Sequence, residues 1–174
     1  PFTGSLYIEK SDFAVVPPPK FQRLKPDGEV RLMGAYIVKC SEVITDENGE
    51  VTEVRCTADL ETGNGMPADG RKVRGTIHWV SAETAVDADI YLYSDLFTLE
   101  NTNDVPEGTD YLDHLNPESL KKLTGCKLEP SIADVPAGTR MQFVRMGYFI
   151  KDEEAGRFNR IVTLKDSFAK TLSK

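Results

Sequence analysis

The chain has 174 residues and a mass of 19.3 kDa, and its 28 acidic and 21 basic side chains give a formal net charge of −7. Its apolar content of 40% is enough for one packed core or two small ones, which excludes intrinsic disorder as the main description. No apolar run approaches the roughly 18 residues of a membrane helix, and the acidic balance taken alone argues against a nucleic-acid partner.

The predicted elements are mostly short strands rich in β-branched and aromatic residues. In chain order they are Ser5–Ile8, Glu29–Lys39, Val51–Ala58, Lys72–Val80, Ala88–Tyr93, Met141–Tyr148 and Phe158–Leu164. Asn48-Gly49 predicts a hairpin between Cys40–Thr45 and Val51–Thr57. The best helix candidate is Asn116–Lys122, with Asn116 as N-cap and Pro117 at the first helical position. Short strands with frequent turns predict a mainly β fold, a sandwich or a barrel.

Three cysteines, Cys40, Cys56 and Cys126, lie far apart and are odd in number. This usage indicates the reduced thiols of a cytoplasmic protein rather than a secreted disulfide framework. With only two histidines and no CxxC spacing, no metal site is expected. The chain starts at Pro1 without a basic-then-apolar leader, so we expect either a processed terminus or a piece of a longer protein.

Charge is distributed in blocks of alternating sign. Residues 41–70 carry −7 and residues 81–115 carry −9, whereas 1–40 carry +2, 71–80 carry +3 and 116–174 carry +4. A cationic surface assembled from the three positive blocks is therefore compatible with the acidic total.

Six polar residues of the positive blocks are candidates for binding RNA: Lys20, Gln22, Arg23, Arg31, Gln142 and Arg145. Arg and Gln carry directional donors that can recognise base edges, and the interleaved Phe21 can stack on an unpaired base. On composition alone the same residues are more typical of the solvated surface of a barrel than of an RNA-binding site. The chain contains no GxSxG, P-loop, GxGxxG or HExxH motif, so no catalytic residue is expected in it.

Several segments, in one collinear order along nearly the whole chain, resemble the C-terminal region of glutaminyl-tRNA synthetases. They are the run Pro67–Ala82, Glu29–Leu32 with Ala35-Tyr36, Ile90–Tyr93 with Leu96-Phe97, Asn116–Leu120, Gln142-Phe143 with Gly147–Phe149, and Phe158–Arg160 with Val162–Leu164. A long collinear match is more specific than any one of its short motifs.

The resemblance implies a class I aminoacyl-tRNA synthetase that joins glutamine to its tRNA with ATP and Mg²⁺. Its Rossmann-type catalytic domain would lie N-terminal to Pro1, and neither a HIGH-like nor a KMSKS-like signature occurs in this chain. The implied partners are the anticodon stem-loop of tRNA(Gln) and the protein's own catalytic domain. The resemblance also implies a monomeric, cytoplasmic protein that does not associate with a membrane.

The resemblance also implies two β-barrels that hold the anticodon loop, the distal one inserted in the proximal one. The expected boundaries are 1–18 plus 98–174 for the proximal barrel and 19–97 for the distal barrel. Arg23 and Arg31 match the family's anticodon-recognising arginines, and Gln142 and Arg145 match the Gln and Arg of its proximal barrel. Lys20 and Gln22 lie at contact positions but differ in residue type, and Met33 stands where a second arginine is usual.

Three alternatives stay open at this point. One is the anticodon-binding region of an archaeal or eukaryotic type of glutamyl-tRNA synthetase, which shares the two-barrel region. Another is a free-standing RNA-binding β-barrel of the ribosomal, 5S-RNA-binding kind. The last is a protein-interaction module that uses the acidic 81–115 block.

Overall fold

A computed structural model describes residues 1–164, which fold as two compact β units. The first unit comprises Pro1–Thr84 and the second begins at Ala85. The mainly β architecture expected from the sequence is thereby confirmed. Helical structure in residues 1–164 is limited to three short 3₁₀ segments, Lys10–Asp12, Tyr111–His114 and Pro130–Ile132.

The first unit contains six strands in two sheets. They are β1 (Leu6–Ile8), β2 (Glu29–Leu32), β3 (Ile37–Thr45), β4 (Val51–Asp59), β5 (Thr76–Ile77) and β6 (Trp79–Ser81). One sheet has the order β4-β3-β2-β5, and the other pairs β1 with β6. All pairs are antiparallel except β2 with β5.

Alternation along β2 shows how this unit separates its core from its polar face. Val30 and Leu32 are buried, while Glu29 and Arg31 point to the other side of the strand. The two apolar side chains join a core that also includes Leu24, Ala35, Val38, Cys40 and Ile77. The polar side of β2 is thus left for contacts outside the core.

The second unit is one five-stranded sheet. Its strands are β7 (Val86–Tyr93), β8 (Leu120–Leu128), β9 (Arg140–Phe143), β10 (Gly147–Lys151) and β11 (Arg157–Thr163), in the order β8-β7-β11-β10-β9. Only β7 and β11 run parallel. Ala88, Ile90, Phe149 and Phe158 form the core, and the ring of Phe143 stacks on that of Phe149 at 4.4 Å.

The sheets are open rather than closed. Within residues 1–164, the outer strands β8 and β9 of the second unit are not paired with each other, and neither are β4 and β5 of the first. The insertion of a distal barrel, with boundaries at 1–18 plus 98–174 and 19–97, stays a prediction.

Several predicted elements are confirmed, including the hairpin at Asn48-Gly49. It joins β3 to β4, and Gly49 adopts the positive φ of +82° that the turn needs. The carboxylate of Asp46 closes the loop by accepting hydrogen bonds from the backbone N–H groups of Asn48 and Glu50.

The predicted continuous strands Glu29–Lys39 and Met141–Tyr148 are wrong, because each is two strands joined by a tight turn. In the first, the N–H of Ala35 donates to the carbonyl of Leu32 at 2.9 Å, and Gly34 has a φ of +67°. Glycine is the residue that takes this conformation at least cost, so Gly34 was the missed signal.

The predicted strand Lys72–Val80 is shorter than expected. Only Thr76–Ile77 and Trp79–Ser81 lie in sheets, and residues 71–75 lie outside them. The break falls at Gly75, which has a φ of +89° that an extended strand does not allow.

The predicted helix Asn116–Lys122 is also wrong. The side chain of Asn116 accepts a hydrogen bond from the N–H of Glu118 at 3.0 Å and donates one to the carbonyl of Asp95 at 2.8 Å. Asn116 therefore organises a turn that leads into β8 instead of capping a helix.

Candidate nucleic-acid interface

A cationic groove of about 900 Å³ lies on the first unit. Six basic side chains line it, namely Lys20, Arg23, Lys25, Lys39, Lys72 and Arg74, against two acidic ones, Asp27 and Glu29. Pro17, Pro18, Phe21, Gln22 and Val73 complete the wall. The groove therefore carries an excess of four positive charges on a protein whose net charge is −7.

Three of the predicted site residues, Lys20, Gln22 and Arg23, meet in this groove. Four further basic residues of its wall were not singled out from the sequence: Lys25, Lys39, Lys72 and Arg74. The positive charge of the 71–80 block was the available signal for Lys72 and Arg74. Lys25 and Lys39 had no sequence signal, because only the fold brings them to the same groove.

Lys20 is presented by a strained turn. The N–H of Phe21 donates to the carbonyl of Pro18 at 3.1 Å, and Lys20 has a φ of +64°. Pro19 at the second position and a positive φ at the third are typical of a type II turn, where glycine or asparagine normally takes the third position. Lysine at this position therefore carries backbone strain that glycine would avoid.

Gly75 holds one wall of the groove against the other. A Cβ atom at Gly75 would lie 1.8 Å from the carbonyl oxygen of Gln22, so only glycine permits this approach of the two backbones. The contact fixes the segment that carries Lys72 and Arg74 beside the segment that carries Lys20 and Arg23.

Arg23 takes part in both the fold and the groove. Its Nε lies 3.3 Å from Oδ1 of Asp12, a carboxylate with no exposed surface, and its Nη1 donates to the carbonyl of Ser11 at 2.9 Å. The side chain keeps 27% of its surface exposed and lines the groove. One edge of the guanidinium is therefore a structural anchor.

Arg31 does not line the groove. Its Nη1 donates to the carbonyls of Ala35 and Gly63, at 3.3 and 3.1 Å, and its Nη2 donates to the carbonyl of Gly65 at 2.5 Å. These bonds tie the loop after β4 to β2. The expected role of Arg31 in recognising the anticodon stays a prediction, and it would rest on the donors not used here.

Arg71 forms the centre of an acidic cluster beside the groove. It donates to Asp59 at 2.6 Å, Asp69 at 2.9 Å and Glu29 at 3.1 Å. Its hydrogen bond to Asp59 is the main cause that raises the pKa of Arg71 and lowers that of Asp59 from their ordinary values. Because Arg71 pairs with Glu29, it offsets the charge of one of the two acids in the groove.

The other two predicted site residues, Gln142 and Arg145, lie on the β9–β10 hairpin of the second unit. Gln142 is exposed on β9, directly across from Tyr148 of β10. Arg145 is exposed in the connecting turn, which the N–H of Met146 closes on the carbonyl of Phe143 at 2.9 Å.

Arg145 has a φ of +69° at the third position of this turn. Lys20, Asp27 and Arg145 are the three non-glycine residues with positive φ in residues 1–164, so two of the three are predicted site residues. Since strained backbone conformations concentrate at functional sites, their overlap with the predicted site supports it from an independent observation.

The described part of the chain contains no group of three or more His, Cys, Asp or Glu side chains placed to hold a metal ion. Within residues 1–164, no helix has the length and apolar composition needed to span a membrane. Met33, where the resemblance led us to look for an arginine, is exposed in the β2–β3 turn, and its carbonyl accepts a hydrogen bond from Nε1 of Trp79 at 3.0 Å.

Comparison with known proteins gives two family models, both described as the anticodon-binding domain of class I tRNA synthetases (E and Q). One matches residues 1–59 and the other residues 76–152. The groove residues Lys20, Arg23, Lys25 and Lys39 fall within the first match, and Gln142 and Arg145 fall within the second.

The chain is also similar to curated glutamine–tRNA ligases from bacteria. It is 46% identical to that of Pseudomonas putida over 173 residues, which is 97% of this chain and 30% of the relative. The corresponding values are 47%, 100% and 30% for the protein of Rhodopirellula baltica, and 49%, 97% and 31% for that of Neisseria meningitidis. The chain thus spans less than a third of the length of these relatives.

Proposed function

The chain belongs to the anticodon-binding domains of the class I tRNA synthetases (E and Q). We propose that it binds the anticodon stem-loop of tRNA(Gln) as part of a glutamine–tRNA ligase. The observation that carries the proposal is the groove, in which six basic side chains surround Gln22 and Phe21. Such a lining combines charge for the phosphates with a directional amide and an aromatic ring for the bases.

The chemistry of the groove suits a single-stranded loop better than a duplex. In an anticodon loop the bases can be splayed outward, where side chains reach their edges and faces, whereas the deep major groove of A-form RNA excludes them. Gln22 and Gln142 each offer a donor and an acceptor, and the arginine fork offers several donors in one plane. The lysines that line the groove then supply affinity that falls as salt rises.

The ligation itself belongs to the part of the parent protein outside this chain. We infer a catalytic domain there that uses ATP with Mg²⁺ to join glutamine to the tRNA. The chain's own residues would bind and orient the tRNA without contacting the reacting atoms. A monomeric, cytoplasmic parent enzyme is part of the same proposal.

The test is discrimination between anticodons by the chain. Binding of the tRNA(Gln) anticodon stem-loop is compared with that of the same stem-loop carrying the glutamate anticodon, at matched salt. A preference worth about 1–3 kcal/mol per changed base is expected, borrowing the value for base contacts in DNA. Equal affinities would contradict recognition of the anticodon.

Amino-acid specificity separates glutamine from glutamate as the substrate of the parent enzyme. The similarity of the chain to curated glutamine–tRNA ligases supports glutamine as the amino acid. Charging of tRNA by the full-length protein with each amino acid is the direct measurement, and efficient charging with glutamate would assign the chain to the glutamyl enzymes instead.

A further inference from the structure

Two cysteines of the first unit lie directly opposite each other on neighbouring strands. The register of the antiparallel pair β3–β4 places Cys40 across from Cys56. The N–H of Cys40 donates to the carbonyl of Gly28, on the β2 side of the strand, at 3.0 Å. Because the N–H and C=O groups of a residue in an antiparallel strand point to the same side, Cys40 and Cys56 are a non-hydrogen-bonded pair, the closely spaced kind with Cα atoms about 4.5 Å apart.

The two side chains also share one face of the sheet. Cys40 is 1% exposed and belongs to the core of the first unit. Val54 and Ala58, which flank Cys56 at two residues on either side, pack against the same core, so alternation along β4 turns the Cys56 side chain to that face as well. A disulfide needs Cα atoms about 4.4–6.8 Å apart and side chains that point to each other, and a directly opposed pair on one face satisfies both conditions.

We propose that Cys40 and Cys56 are a site of reversible oxidation, where a cross-strand disulfide forms when the protein meets a low-molecular-weight disulfide such as oxidised glutathione. Both cysteines are reduced in the structure. Cys56 is exposed on β4, the outer strand of its sheet, whereas Cys40 is buried, so the oxidant reaches Cys56 first. The site does not depend on RNA binding.

The oxidation is a thiol–disulfide exchange in two steps. The Cys56 thiol loses its proton to solvent, and the thiolate attacks one sulfur of the oxidant, whose S–S bond breaks and releases one small thiolate. The sulfur of Cys40 then loses its proton and attacks the mixed disulfide at Cys56, which releases the second small thiolate. In total the two protein thiols are oxidised to one disulfide, and one small disulfide is reduced to two thiols.

The surroundings of Cys56 make this exchange slow. The residue is exposed at the edge of the sheet, but its sulfur faces the core, and this desolvation is the main cause that raises the pKa of the thiol to about 11. Because the thiolate is the attacking species, few molecules react at neutral pH, and the rate should increase as the pH rises. The pair is therefore suited to sustained oxidation rather than to rapid sensing.

The experiment equilibrates the full chain with mixtures of oxidised and reduced glutathione at mildly alkaline pH. The remaining thiols are then blocked by alkylation, and the linked peptides are identified by mass spectrometry. Cys126→Ser is the matched control, because Cys126 lies on β8 of the second unit directly opposite Ala88 rather than a thiol. The wild type and Cys126→Ser are expected to lose two hydrogen atoms and to join the peptides of Cys40 and Cys56, whereas Cys56→Ser is expected to do neither.

Thermal unfolding gives a second readout. The disulfide would close a loop with 15 residues between the two cysteines, so oxidation should raise the unfolding midpoint of the wild type and of Cys126→Ser by roughly 5–10 °C. Cys56→Ser should show no such rise. An excess of reduced thiol should return the midpoint of the oxidised chains to its starting value.

Three results would overturn the proposal. If the oxidised wild type carries only glutathione adducts, Cys40 is not placed to complete the exchange. If Cys56→Ser loses two hydrogen atoms as the wild type does, the disulfide involves Cys126 instead. If the midpoint of the wild type does not rise on oxidation, the disulfide strains the sheet and the pair is not set at bonding geometry. The peptide map of the wild type decides the first point without any variant.

Discussion

The guanidinium of Arg23 lies between a fully buried carboxylate and an open groove, so one substitution changes two properties. Arg23→Ala removes the ion pair with Asp12, and we expect it to lower the free energy of unfolding by about 1–3 kcal/mol. The same change should weaken binding of the cognate anticodon more than that of a mismatched one. Urea unfolding and stem-loop titration measure the two effects separately.

Arg23→Lys is the matched variant. It keeps a positive charge near Asp12 but loses the planar guanidinium. The free energy of unfolding should therefore be close to that of the wild type, while discrimination between anticodons should be as poor as in Arg23→Ala. If Arg23→Ala weakened both anticodons equally, Arg23 would be reduced to a phosphate contact. An unchanged unfolding midpoint would show instead that the pair with Asp12 does not matter to the fold.

The backbone at Arg145 is strained, because an L-residue at a φ of +69° makes the folded state about 1–2 kcal/mol less stable than glycine would. Arg145→Gly is therefore expected to raise the free energy of unfolding by about 1 kcal/mol and to weaken RNA binding. Thermal or urea unfolding together with stem-loop titration checks both signs.

Arg140→Gly provides the control on the same hairpin. Arg140 lies within β9, where glycine should destabilise the strand by about 0.5–1 kcal/mol. Opposite stability changes at the two positions would support the account. A loss of stability in Arg145→Gly as large as that in Arg140→Gly would show that the strain is not relieved.

At the scale of elements, the groove depends on the contact between Gly75 and the backbone of Gln22. Gly75→Ala would place a Cβ 1.8 Å from a carbonyl oxygen, so the two segments must separate. We expect a loss of about 2–3 kcal/mol in stability and a lower affinity for the stem-loop. Unfolding midpoints and binding titrations are the measurements.

Gly49→Ala controls for the cost of a positive φ alone. Gly49 has a φ of +82°, close to the +89° of Gly75, but a Cβ there meets nothing within 4 Å. It should cost about 1–2 kcal/mol and leave RNA binding unchanged. Equal effects of the two alanines on both properties would mean that the close approach at Gly75 does not shape the groove.

The turns explain which elements the sequence could predict. Asn48-Gly49 is a strong hairpin signal, and the hairpin lies where it was expected. In the β9–β10 turn, Arg145 occupies the position that glycine or asparagine normally takes. Because that turn signal is missing, the sequence predicts one continuous strand from Met141 to Tyr148. The preference for glycine or asparagine in such turns therefore failed at Arg145, a residue that the resemblance implies in RNA binding.

The helix predicted at Asn116 failed for a different reason. Asparagine followed by proline suits an N-cap and also an Asx turn, and the carbonyl of Asp95 decides between them by accepting the Asn116 amide. Such a long-range partner is not visible in a local sequence pattern. Lys25 and Lys39 could not be assigned to the groove from the sequence for the same reason, because their neighbours there are distant in the chain.

The net charge of the chain, taken alone, argues against a nucleic-acid partner, whereas the distribution of the charges does not. The charge of −7 arises from two acidic blocks, whereas the residues of the groove come from the positive blocks 1–40 and 71–80. Folding brings these two blocks together around one groove, and their cations determine the local potential that an approaching phosphate meets.

The central claim is that this groove binds RNA phosphates, and the salt dependence of affinity tests it most directly. Stem-loop binding is measured over a range of salt for the wild-type chain, for Lys72→Ala/Arg74→Ala, and for Lys10→Ala/Lys121→Ala, which removes two exposed charges outside the groove. The account predicts that the groove variant binds more weakly and that its plot of log affinity against log salt is shallower by about 1.4, the value for two single-strand contacts. The control should keep the wild-type slope. Parallel plots for all three proteins would contradict the assignment of this groove as the RNA-binding surface.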